Sequence, residues 1–63
     1  MDKPTYTEQL ECAQRELRRR TMNLPNLVRN GKLTKDYADK EIAAMTAIVE
    51  TLQKLVWLNN DKL

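Results

Sequence analysis

The side chains with chemical reach in this chain are 11 lysines and arginines, 9 aspartates and glutamates, two tyrosines and one thiol, Cys12; there is no histidine. General acid–base catalysis usually draws on histidine or on paired carboxylates held away from water. Here the acids are scattered along polar stretches. A lone cysteine without histidine can build neither a zinc site nor an internal disulfide. Cys12 has Glu8 and Glu16 one helical turn away on either side, the setting of a flank residue rather than a nucleophile. The expectation is no enzyme, no cofactor and no metal.

The cations are better organised than the acids. Between Arg15 and Lys35 lie seven bases (Arg15, Arg18, Arg19, Arg20, Arg29, Lys32 and Lys35) against one acid, Glu16. The segments before and after this stretch are each net negative. Such a cluster attracts nucleic acid or an acidic protein surface. Arg18-Arg19-Arg20 cannot all face one ligand, because consecutive helical residues point about 100° apart. No aromatic residue interleaves them, so the stacking platform of single-strand binders is missing. An acidic protein partner therefore ranks above nucleic acid, with Arg15, Arg18, Arg19, Arg29, Lys32 and Lys35 as the partner-binding end. A plainly solvated basic face is the alternative without a function.

The elements that carry these groups are helices. Thr5-Tyr6-Thr7-Glu8 fits a capping box, and Tyr6, Leu10, Ala13, Leu17, Arg20, Leu24 and Leu27 then recur in alternating steps of four and three, a heptad seam. Pro25 cannot donate to the carbonyl of Thr21 and disfavours helical geometry at Leu24. With Asn23 as a possible cap, the seam is expected to break there rather than kink: a helix over about 5–22 and a short one over about 24–30. Asn30-Gly31 is a helix stop, and Thr34 with Asp36 is a helix start. The second arm runs over about 35–58, with Leu33 and Ala38 as a hydrophobic staple and 59–63 as a fraying tail. The whole chain, 1–63, reads as one all-α domain, an antiparallel helical hairpin.

The second arm carries more apolar surface than one partner helix can cover. Met45, Ile48, Leu52 and Leu55 form a first row, expected to meet the first arm; Ile42, Val49 and Val56 form a second beside it. A charged residue at Ile48 would then unfold the hairpin, and one at Val49 or Val56 would affect assembly first. A chain of 63 residues buries only about 60% of its unfolded surface, and disulfide and metal staples are both missing. A homo-oligomer is therefore expected, associating through Ile42, Val49, Val56 and Trp57. Trp57 is an interface anchor or a cover for the open end of the hairpin. Folding the arms about Gly31 brings Leu10 to Leu52, Leu17 to Met45, and Arg20 to Glu41 or Ile42. Arg20 and Glu41 are the polar members of two apolar seams, which suggests a pair that fixes register.

No apolar run approaches the ~20 residues of a membrane span, and Met1-Asp2-Lys3-Pro4 does not open a signal peptide. The lone cysteine suits a reducing, cytoplasmic setting. Tyr6-Thr7-Glu8-Gln9-Leu10, the arginine run before Pro25, Val28-Arg29-Asn30-Gly31-Lys32-Leu33-Thr34, and the stretch from Asp39 to Ile48 resemble a group of very small, early-expressed proteins of lambdoid bacteriophages. The resemblance covers most of the chain. It implies an accessory protein of the host-cell cytoplasm that adjusts host physiology or the choice between lysis and lysogeny. Such a protein acts by binding something; the expected target is a host or phage protein, and the basic turn end gives the alternative, a small nucleic-acid-binding regulator. It supplies no catalytic residues.

Overall fold

A computed structural model describes residues 3–59. Two helices of 24 residues each, α1 (Tyr6–Arg29) and α2 (Lys35–Leu58), pack against one another as an antiparallel hairpin of 43 × 22 × 16 Å. There is no strand among the described residues. Of the tail expected over 59–63, all but Asn59 lies outside the described residues, as do Met1 and Asp2.

The helix ends form where local chemistry requires them. At the start of α1 the Glu8 amide donates to Thr5 Oγ1 at 3.0 Å, and the Thr5 amide donates to Glu8 Oε1 at 2.8 Å. That reciprocal pair satisfies two otherwise orphaned donors. At the other end the Gly31 amide reaches the Val28 carbonyl and the Lys32 amide the Leu27 carbonyl, the paired bonds of a Schellman motif. Gly31 is left-handed at φ 76°, a conformation that costs a residue with a Cβ about 1–2 kcal/mol. Thr34 then accepts the Tyr37 amide at 3.1 Å and opens α2.

The break expected at Pro25 does not occur. α1 runs through it as one helix, so there is no short helix over 24–30 and Asn23 caps nothing. Proline removes one donor, which leaves the Thr21 carbonyl without its helical partner. Thr21 and Pro25 are both exposed, so water can serve that carbonyl. A restart at Asn23 would turn Leu24 and Leu27 off the seam. Continuity keeps both there, half-buried.

The interior is small. Ala13, Met45 and Val49 form its centre, with Leu10, Leu17 and Leu52 packed around them. Ala38, only 3% exposed, and Val56 extend it toward the turn and the open end. This corrects the assignment of rows on α2. The row facing α1 is Ala38, Ile42, Met45, Val49, Leu52 and Val56, stepping four, three, four, three, four. Val49 and Val56 are buried inside the hairpin, Ile42 is half-buried, and Ile48 stands 48% exposed. Ile48 is therefore not the residue that packs against α1, and Val49 and Val56 are not free for association. The turn decides it: the Ala38 amide donates to the Thr34 carbonyl at 3.1 Å in the first turn of α2, where Ala38 is buried, and the heptad relatives of Ala38 are Met45 and Leu52. Position 48 falls on the flank, in line with Glu41.

Candidate functional site

α1 carries its cations on two different faces. Arg20 lies beside the seam. Its Nε donates to Glu16 Oε2 at 2.9 Å and its Nη1 to Glu41 Oε1 at 3.1 Å. Arg19 Nη1 reaches the other oxygen of Glu16 at 3.3 Å. The Glu16 hydrogen bond and charge, helped by Glu41, raise the proton affinity of Arg20 further. The Arg20–Glu41 pair therefore ties α1 to α2, but at the rim of the interface, with about a third of each side chain exposed. A rim pair of this kind contributes little to stability. It spans the two helices at one level of the hairpin, where Arg20 comes opposite Glu41.

The opposite face of α1 is different. Arg15, Arg18, Met22 and Arg29 recur at helical spacing over about 21 Å, all of them exposed. Among the described residues Arg15 and Arg18 make no ion pair, and Arg29 is engaged only with the Asn26 amide oxygen. Met22, 72% exposed, sits in the middle of the stripe. Lys32 continues the positive charge into the turn, also unpaired among the described residues. Lys35 does not join it in the same way, because its Nζ is held 2.7 Å from Asp39 Oδ2, and that hydrogen bond raises its pKa. The six bases expected at one end thus divide. Arg15, Arg18, Arg29 and Lys32 remain available, while Arg19 and Lys35 are partly neutralised by their own helices.

Met22 is the part of this site that sequence reasoning missed. Its signal was its spacing, seven residues after Arg15 and seven before Arg29, on the face away from the heptad seam. The association residues are also dispersed. Val49 and Val56 belong to the hairpin interior, and Trp57 lies 70% exposed beside Glu50, Gln53 and Lys54 on an outer face of α2.

No group of acids and cysteine that could hold a metal ion occurs among the described residues. Cys12 is exposed, on the wall of an open groove shared with Gln9, Glu16, Met45 and Leu52. No helix among the described residues is long and apolar enough to cross a membrane. Comparisons with protein families, with curated proteins and with solved structures find no match to this chain.

Proposed function

We propose that this chain is a non-enzymatic phage accessory protein of the host cytoplasm that works by protein–protein interaction. It uses the outer face of α1 to hold an acidic surface on a host or phage protein, and so modulates host physiology or the choice between lysis and lysogeny. The phage setting rests on the resemblance carried by the turn and the flanking helical stretches. The binding mode rests on one observation, the exposed Met22 set among Arg15, Arg18 and Arg29 on a single helix face. Arginine provides bidentate recognition of carboxylates, and a thioether among the charges gives an apolar anchor that adapts to an irregular surface. A phosphate backbone has no use for that anchor. An antiparallel hairpin also lacks the steep helix crossing that groove-reading helix pairs employ.

The experiment is capture from a host lysate on the immobilised full chain, with Arg15→Glu/Arg18→Glu and Met22→Ser variants alongside. Both are expected to lose the captured protein, the charge variant completely and the Met22 variant by about tenfold, a typical weight for one interface anchor. Capture unaffected by both variants would reject this face. Binding to duplex DNA that weakens steeply with salt, disappears in the charge variant and ignores Met22→Ser would move the reading to a nucleic-acid-binding regulator.

A further inference from the structure

The hairpin leaves an apolar stripe of α2 uncovered. Tyr37, Ala44, Ile48, Thr51, Leu55 and Leu58 lie on the flank beside the α1-facing row, in the same alternation of three and four with Glu41 between the first two. Leu55 is half-buried and the others are exposed. The stripe runs nearly the whole length of the helix, about 32 Å. It is separate from the basic outer face of α1.

We propose that a second copy of this chain covers this stripe, packed antiparallel so that two hairpins close into a four-helix bundle. Area is the first argument. The chain exposes 5126 Å², whereas a compact monomer of its mass exposes about 4,200 Å². The excess, about 900 Å², is surface that an elongated two-helix hairpin leaves uncovered, and a standard stable interface would remove about 800 Å² from each partner. Among the described residues no side chain is fully buried, and a single cysteine allows no internal disulfide.

Charge chooses the direction. Arg15, Arg18, Arg29 and Lys32 keep the turn end net positive even with Asp36, Asp39 and Glu41 folded beside it, and the chain before Arg15 is net negative. Parallel packing would bring two positive tips together. Antiparallel packing separates them and brings Glu8 of each copy level with Arg19 and Arg20 of the other. The stripe is self-complementary in that direction, as a twofold interface must be. Ile48 falls at the dyad, Ala44 comes opposite Thr51, and Tyr37 opposite Leu58. Glu41 is the one charge on the stripe, and Arg20 already holds it aside at the rim.

Sedimentation equilibrium of the full chain is expected to give twice the monomer mass at about 100 µM, with a melting temperature that rises with concentration, as linkage requires. A monomeric mass together with a concentration-independent melt would overturn the proposal. Ile48→Glu is expected to weaken the dimer at least about 30-fold, and Gln53→Glu on the opposite flank to stay within about twofold. Equal effects of the two would place the interface elsewhere. Should Ile48→Glu unfold, orientation tests the proposal in a folded chain. A spin label on Lys32→Cys in a Cys12→Ser background is expected to report tips about 45 Å apart. A short tip-to-tip distance means parallel packing and rejects the antiparallel bundle.

Discussion

α1 and α2 have the same length and make unequal contributions to the interior. α1 buries only Ala13; α2 buries Ala38, Met45, Val49 and Val56. The reason lies in what each row carries. α1 brings leucines that stay half-buried and an arginine, and it fastens itself at the rim through Glu16, Arg20 and Glu41. α2 brings compact apolar residues that reach under that rim, and it still has apolar surface left on its flank. α1 therefore joins the interface through half-buried leucines around one small buried residue, and α2 through a row of buried ones. Ala13 is where they meet: a small side chain on α1 lets Met45 and Val49 of α2 approach.

That contrast predicts where the hairpin is most fragile. Met45→Ala removes a buried side chain from the centre of the cluster and is expected to cost about 2–4 kcal/mol. A single small domain has only a few kcal/mol in hand, so this variant is expected to lose most of its helical circular dichroism. Ala13→Leu overfills the same spot from the α1 side and is expected to cost less, about 1–3 kcal/mol. Thermal melts of the two variants decide the matter. If Ala13→Leu melts lower, the tight approach at Ala13 outweighs the burial that α2 supplies, and the asymmetry is wrongly drawn.

The same contrast explains which features were legible in the sequence. Caps and the turn are local chemistry, so Thr5 with Glu8, Asn30-Gly31 and Thr34 could be read directly, and with them the hairpin. Pro25 could not, because its local preference for a break is overridden by the packing of Leu24 and Leu27, which a linear reading does not weigh. The facing row of α2 was equally hidden. Rows 45–48–52–55 and 42–49–56 are both apolar, and only the seating of Ala38 by the turn selects between orientations. For the candidate site, the sequence located the cations but not their pairing. Arg19 and Lys35 look like Arg15 and Arg18 until Glu16 and Asp39 are placed beside them. Met22 is not legible in the same way, because apolar periodicity marks the buried face and a single methionine among charges on the other face makes no pattern of its own.

A smaller effect tests the junction between the two helices. Gly31 stands at φ 76° in open space: apart from its two chain neighbours, nothing lies within 4 Å of where a Cβ would sit. Gly31→Ala therefore meets no steric clash and carries only the backbone term, about 1–2 kcal/mol of lost stability. Asn at this position is expected to recover part of it, since asparagine tolerates the left-handed conformation. A melt of Gly31→Ala indistinguishable from the parent protein would show that the turn can close without that conformation. The hairpin would then owe its direction to helix packing alone.

The smallest effect lies in the first turn of α2, where two electrostatic influences on Lys35 oppose each other. A cation near a helix N-terminus is disfavoured by the helix dipole, while Asp39 holds this one at 2.7 Å. The Asp39 hydrogen bond and charge raise the pKa of Lys35 above its ordinary 10.5, and the pair is expected to prevail. A raised lysine pKa means that the folded state favours the charged form. The contribution is therefore fully present below pH 10.5 and fades as the pH rises through the folded value. Parent protein and Lys35→Met are expected to differ slightly in melting temperature near neutrality, the parent higher, and the gap is expected to close in strong alkali. Comparing the two chains at each pH cancels every contribution common to both. A gap that stays constant with pH would assign the effect to the apolar stem of Lys35. A gap of opposite sign near neutrality would mean that the dipole outweighs Asp39, and that even this exposed charge pair does not favour α2.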